Sequence, residues 1–556
     1  MKFLQYAKQS GPGWVQAAVT LGGGSLVGAL YLGVIGGYEF LWLQPLAMLC
    51  GIIMLSAISY VTLSNEERPF RLVQKKVSPA LAWGWLIATV IADTVFCAAQ
   101  FSLGSGALTG NLGVDINPYV ITGSFFIICL SLLAISQKEG KASKIIDNVL
   151  KVLVAIIVLS FMGVVATLAL KGAINWGHLF GGLIPDFSAL FKPTDQINTA
   201  IQATGDQAEY WTNYVTGEQR SKIITAFGTA VGINMTFLLP YSLRKKGWGK
   251  EQRELSRFDL VFGLFIPFML GASALVISSA ASFHAKHADV ISAEGKPLEG
   301  MEGIYYEVLD KRIASSDDTY ADDVKEMKSL SKDIALWEKE GGPAEEILNA
   351  QAQLTLLSEA VATKRDEVPL QEKQLAAMLS NRKASNLAKS LEPFLGSSAQ
   401  LIFGVGVLAM AISTMLVHMM MNGYAISEAF NKLGNAKVFM LGAAMPATAG
   451  LFSPILWDGP SKAAMQVPAA VIATTLLPIA YLAFLLLMNS KSALGEELPK
   501  KRGLINILMI LSAGIASFAS VWALSSKGTE GMIGIVALGV LALVGIFGFV
   551  KNNKVA

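Results

Sequence analysis

Residues that could do chemistry are few in this chain, and they sit in apolar surroundings. Asp93 is the one carboxylate well inside an apolar stretch, 80–110. A charge in such a place is expensive, so it marks a proton relay or a cation-attracting group, or a protonated carboxyl bonded within helix packing. Gln100 follows seven residues later on the same helical face and extends a polar track. His418 stands among Met415, Met419, Met420 and Met421. Imidazole and thioether together bind soft metals, but consecutive methionines point around a helix and also serve as core filler. His284 and His287, three residues apart, read as a surface pair. The rest of the chemistry belongs to the backbone. Gly22, Gly23, Gly24 and Ser25 interrupt one apolar stretch, and Gly228, Gly232, Asn234 and Pro240 loosen another. Each glycine costs a helix about 1 kcal/mol relative to Ala, and Pro removes a donor. In lipid a broken helix survives only where its freed groups face protein or water. Both breaks are therefore candidate substrate positions. They are formed by carbonyls near Val19 and Thr236, by residues 22–25, and by Asn234, Leu239, Pro240 and Tyr241.

The elements that must position these residues are membrane helices. The chain has 556 residues, 53% hydrophobic and 15% charged, with mean hydropathy +0.50. A soluble protein carries roughly 25% charged residues. About twelve stretches approach the ~20 residues needed to span a bilayer: 12–36, 40–63, 80–110, 117–136, 147–170, 222–242, 258–283, 397–428, 436–456, 462–488, 503–525 and 531–550. Basic loops alternate with loops lacking Lys and Arg. One side holds Arg68, Arg71, Lys75 and Lys76, then Lys138 to Lys151, then Arg244 to Arg257, then Lys491 to Arg502. The positive-inside rule places that side and both termini in the cytoplasm of a plasma (inner) membrane protein. The net charge of +3 is set by topology and predicts no nucleic-acid partner.

The chain divides accordingly. Residues 1–171 give five spans, 172–221 an extracellular loop, and 222–284 spans six and seven. Residues 285–395 form an extracellular insert, 396–490 hold spans eight to ten, and 491–556 the last two. Each five-span block opens with an interrupted span, the pattern of a transporter built from inverted repeats with its site at mid-membrane. Within the insert, Val324, Met327, Leu330, Ile334 and Trp337, then Ile347, Ala350, Leu354, Leu357 and Val361, keep helical spacing around a Gly-Gly-Pro turn at 341–343. This predicts an antiparallel helical hairpin that caps the molecule or binds an extracellular partner. Cys50, Cys97 and Cys129 fall in spans and imply no disulfide framework. There is no His-Glu-x-x-His, Cys-x-x-Cys or Walker loop, so neither an enzyme nor a cofactor is expected.

Several segments resemble the Nramp family of divalent metal transporters. Gly11-Pro-Gly-Trp and Gly36-Gly-Tyr-Glu-Phe-Leu-Trp flank the first break as they do in that family, and Arg257-Phe-Asp-Leu opens span seven. Residues 391–408, Glu428-Ala-Phe and residues 484–502 are similar to its eighth span and the loop after its tenth. The resemblance implies an all-α, LeuT-type fold of inverted five-span repeats plus two further spans. It also implies a secondary transporter of an inorganic divalent metal cation working by alternating access. The family's Asp-Pro-Gly-Asn is matched by residues 22–25, its Met-Pro-His by Leu239-Pro240-Tyr241, and its span-ten Gln by Ala470. On that matching the site lacks thioether and carboxylate and suits a harder ion such as Mg²⁺. Exchanging Gly22 for Asp and Leu239 for Met would restore a preference for Mn²⁺. The alternatives are a same-fold transporter of a small organic solute and a non-transporting sensor or scaffold.

Overall fold

The computed structural model describes residues 2–137, 144–382, 384–396, 398–456 and 466–554. Among them, eleven helices are long and apolar enough to cross a membrane, and a bent pair, Pro12–Thr20 with Gly23–Phe40, makes twelve. The first span is α1 (Pro12–Thr20) and α2 (Gly23–Gly36), bent by 53° at Leu21 and Gly22. Spans two to five are α3 (Leu43–Ser64), α4 (Pro79–Gly106), α5 (Pro118–Ser136) and α6 (Ile145–Leu170). The sixth is α7 (Ala208–Ala230) and α8 (Ile233–Lys245), and the seventh ends in α9 (Ile266–Phe283).

The first break falls at Leu21 and Gly22, at the edge of the expected stretch 22–25, and Gly23, Gly24 and Ser25 are already helical. The second does not fall between Asn234 and Pro240. Val231 and Gly232 are extended, with φ −144°, ψ 108° and φ −88°, ψ 168°, and the helix has resumed by Ile233. Asn234, Thr236, Leu239, Pro240 and Tyr241 are therefore helical, with Pro240 inside α8. A proline deletes one intrahelical bond, which a membrane helix tolerates when its neighbours enclose it, and Pro240 is buried. Gly232, whose neighbour Val231 is β-branched, makes the break.

The stretch 172–221 is not simply a loop. It contains short helices, and α7 starts at Ala208, fourteen residues before the expected span. The early part of α7 is amphipathic. Its Trp211 and Val215 join Ile197 and Ile201 in a second hydrophobic core with Tyr305, Leu309 and Leu375 of the insert. Trp211 Nε1 donates to Glu372 Oε2 at 3.0 Å, and Arg312 Nε pairs with the same oxygen. The two external segments thus form one outer layer. Above it stands the expected hairpin, α10 (Asp318–Glu340) and α11 (Ala344–Glu367). Its turn uses Gly341 at φ +75°, a left-handed cap that a residue with Cβ adopts at a cost.

Spans eight to twelve are α12 (Ser398–Ala429), α13 (Ala436–Leu451), α14 (Gln466–Met488), α15 (Arg502–Ser525) and α16 (Gly528–Lys554). The last is only 6% buried in its most apolar window, a lipid-facing helix beside the bundle. His284 is half-buried, its Nδ1 3.0 Å from the Val34 carbonyl, so it is not part of a surface pair.

Candidate functional site

Two helix breaks inside a bundle free backbone groups that must find partners. The breaks lie against each other. Thr20 Oγ1, at the end of α1, donates to the Ala230 carbonyl at 3.1 Å, at the end of α7, and lies 3.2 Å from Met235 Sδ. Gln16 Nε2 donates to the Met235 carbonyl at 3.3 Å. The Ala18 carbonyl, left behind as α1 ends, accepts from Ser413 Oγ at 3.1 Å and Thr414 Oγ1 at 3.0 Å on α12. The Thr20 carbonyl accepts from the Ser25 hydroxyl. On the donor side, the Gly23 amide at the start of α2 reaches Gln100 Oε1 at 3.2 Å, and the Met235 amide reaches Asn234 Oδ1 at 3.0 Å. Side-chain oxygens thus cover positive N-terminal ends, while the Thr20 carbonyl ending α1 and the Ala230 carbonyl ending α7 each take one side-chain donor, against two at Ala18. That arrangement favours a cation.

Behind the breaks sits a buried charge cluster. Asp93 Oδ1 accepts from Asn234 Nδ2 at 3.1 Å and from His418 Nδ1 at 2.9 Å. Asp93 is 0% exposed and His418 1%. A carboxylate partner fixes the proton on Nδ1, so the Asn234 amide 3.2 Å from that nitrogen donates to Asp93. Nε2 is left with its lone pair. His418 also stacks on Phe96, with centroids 5.3 Å apart and planes 8° from parallel. A carboxylate that holds one ring nitrogen so that the other can bind metal is a recurrent second-layer device. Asp93 Oδ2 has no partner among the described residues.

These groups surround a cavity of about 20 Å³, room for one water or ion. Its lining includes Val19, Thr20, Gly24, Ser25, Gln100, Asn234, Met235, Thr414 and His418. The structure therefore brings together Val19, Gly24, Ser25, Gln100, Asn234 and His418, with Asp93 one layer behind. Gly22 and Gly23 are at the break but face span eight and the Gln100 amide. Thr236, Leu239, Pro240 and Tyr241 are elsewhere. Thr236 Oγ1 accepts from Trp85 Nε1 at 2.9 Å, and Tyr241 stacks between Phe237 and Tyr424. Among the described residues no three His, Cys, Asp or Glu side chains gather in a metal-binding group, and the methionines around His418 do not all face it.

Two residues near the breaks escaped the sequence reading, each by four residues. Met235, not Leu239, presents its thioether at the second break. Gln466, not Ala470, reaches from span ten to the cavity-lining Gln100, whose Nε2 donates to Gln466 Oε1 at 3.0 Å; Gln466 itself is fully buried. Four residues is about one helical turn, which keeps the same face and the same pattern of polarity. The premise that the site lacks a thioether is thereby removed. The Gly22→Asp exchange also changes its meaning. A Cβ at Gly22 would lie 2.6 Å from Thr414 Oγ1 and 3.0 Å from the Val19 carbonyl, leaving no room for a carboxylate.

Larger cavities approach from both ends without sharing a lining residue with the central one. A cavity of about 1240 Å³ lies under the insert, lined by Tyr31, Glu218 and Lys222 among others. One of about 230 Å³ lies at the other end, lined by Val15, Asp147, Ser242, Lys246 and Tyr424. Two broken helices around a small central cavity, with a larger cavity toward each end, are the pattern of secondary transporters with discontinuous helices.

The sequence assigns the chain within that class. It matches the Nramp description, natural resistance-associated macrophage protein-like, over residues 13–298 and 372–526, and it belongs to that family. The gap in the match covers the helical hairpin. No curated protein matches it in sequence. Among solved structures it is similar to the Eremococcus coleocola manganese transporter in complex with an aromatic bis-isothiourea substituted compound. The identity is 15%, with 99% of this chain and 95% of that chain covered and a TM-score of 0.63. A variant of the same transporter gives 13%, 99%, 94% and 0.54. At these identities the likeness establishes the shared fold.

Proposed function

We propose that this chain carries a divalent metal cation across the plasma membrane by alternating access, with the cation held at the central cavity by His418 Nε2, Met235 Sδ, the Gln100 and Gln466 amides, and carbonyls at the ends of α1 and α7. The observation that carries the reading is the Asp93–His418 pair at the junction of two helix breaks. Asp93 supplies from span three the negative charge that residues 22–25 do not supply from span one. Imidazole and thioether shift preference toward Mn²⁺ and Fe²⁺ over Mg²⁺ and Ca²⁺. This reverses the expectation drawn from Leu239. A cavity of about 20 Å³ also speaks against an organic solute, for which sites of roughly 300 Å³ or more are usual. The distribution of basic loops supports a topology with the termini in the cytoplasm and the insert outside.

The test is uptake of Mn²⁺ and Mg²⁺, each alone and in competition, into proteoliposomes containing the full chain. Mn²⁺ uptake that resists excess Mg²⁺ and collapses in His418→Ala supports the proposal. Equal uptake of both ions, or uptake indifferent to His418, overturns the assignment of the site.

A further inference from the structure

The outer and central cavities share no lining residue, but both are lined by the same two helices, along one face of each. On α2, Gly24 lines the central cavity and Tyr31 the outer one; on α7, Thr229 lines the central cavity and Lys222 the outer one. Each pair is seven residues apart, two turns along one face, or about 10 Å. At the outer end of this route stands a buried ammonium. Lys222 is 5% exposed; its Nζ lies 3.0 Å from Glu218 Oε2 on its own helix and 4.8 Å from the centroid of the Tyr31 ring on the other. The side chain therefore reaches from α7 to α2 across the way in.

We propose that Lys222 is the outer gate and a charge filter of the transport route: a tethered cation that occupies the passage when it is closed and repels mobile cations until the helices part. A cation over an aromatic face is attracted most strongly where water is excluded, so Tyr31 holds the ammonium in place at this depth. Glu218 offsets part of its charge, and the remainder acts in a low-dielectric passage where like charges are weakly screened. Selectivity then has two stages, a barrier at Lys222 and a donor set at the central cavity. The inference rests on the transport reading, but its test does not require a transported ion.

The test places a cysteine at Thr229 in the full chain with Cys50, Cys97 and Cys129 replaced by Ala, and measures labelling from the insert side. A cationic trimethylammonium methanethiosulfonate is compared with an anionic sulfonate one. The protein with Lys222 should react faster with the anionic reagent. Lys222→Met should raise the cationic rate by at least about tenfold and remove the preference. Lys222→Arg should retain it. Glu218→Gln, which keeps the lysine and leaves its charge less offset, should slow the cationic reagent further and serves if Lys222→Met does not fold. Unchanged rates and preference in Lys222→Met overturn the proposal, as does a cationic rate that Glu218→Gln leaves unaltered.

Discussion

Asp93 makes sense only through its neighbours. A lone carboxylate at 0% exposure would be too costly to keep charged, but here it accepts from an amide and an imidazole. On the proposed reading its work is to orient His418 and to bias the site toward cations. Asp93→Asn should therefore lower divalent uptake by about 10–100-fold, the usual consequence of losing such a partner, while leaving the protein folded. Full activity in Asp93→Asn, measured as initial uptake in proteoliposomes, would place the charge elsewhere. The thioether gives a sharper test of register. Met235→Leu should reduce Mn²⁺ uptake several-fold relative to Mg²⁺, and Leu239→Met should change nothing. The opposite pattern would restore the register read from the sequence. At this scale the sequence was partly legible. A carboxylate, a glutamine and a glycine triplet in apolar surroundings announce themselves by cost. Met235 and Gln466 did not, because a methionine in an apolar span costs nothing and a glutamine at a span's edge looks like an ordinary boundary.

Helices α1 and α7 show how the elements are held. The start of α1 is bound by Asp259 of span seven, whose carboxylate accepts from Ser10, from the Gly11 amide at 3.0 Å and from the Gly13 amide at 2.6 Å. This is an N-terminal cap supplied by another helix, and it favours the negative charge of the carboxylate. The fit is close: a Cβ at Gly13 would lie 2.1 Å from the Asp259 carbonyl. Gly13→Ala should cost about 1–3 kcal/mol through backbone displacement. Asp259→Ala should accelerate amide exchange over residues 11–20. Exchange there that is no faster than in the unaltered protein would show that α1 is held by other contacts. The hairpin offers a pH test. Asp317 caps α10, and the Thr319 hydroxyl first, then the Lys364 ammonium, hold its carboxyl down to about 2. A group whose folded pKa is depressed adds stability above its ordinary value and loses it as pH falls through the folded value. The α10–α11 contact should therefore hold at pH 5 and weaken only between about pH 4 and pH 2. Helical signal from this segment that fades near pH 5 would show that other groups govern it. The hairpin itself was readable because apolar residues recur at steps of three and four around a Gly-Gly-Pro turn. The early start of α7 was not, because its outer turns are amphipathic and bury their apolar face against an insert far downstream in the chain.

The central cavity shares no lining residue with the cavity at either end, and the contacts at the two ends differ in kind. At the basic-loop end several charged contacts join neighbouring elements, one of them in the lining of the cavity of about 230 Å³. Lys246, the residue that caps the end of α8, pairs with Asp147 on α6 at 2.9 Å. Arg244 donates to the carbonyls of Asn65 and Glu66, each at 2.9 Å, and to that of Glu67. Lys151 Nζ donates to the Ser10 carbonyl at 2.8 Å. Arg68 and Arg71 approach the buried Glu428 at 3.6 and 3.7 Å. The outer route is crossed by the Lys222 ammonium over a ring, and the ion pair of that lysine stays within its own helix. Exposed pairs contribute little, but hydrogen bonds from a half-buried guanidinium contribute about 1.5–3 kcal/mol each. Opening inward should therefore cost more than opening outward. Without divalent cation, a cysteine at Thr229 should react faster with an uncharged maleimide from the insert side than from the basic-loop side. Arg244→Ala with Lys246→Ala should narrow or invert that order, since each 1.4 kcal/mol is worth about tenfold in population. A neutral reagent avoids the charge filter at Lys222, so the rates report the opening of the helices themselves. Equal rates from both sides in the unaltered protein, or an order untouched by the double substitution, would mean that these inner contacts do not set the resting conformation.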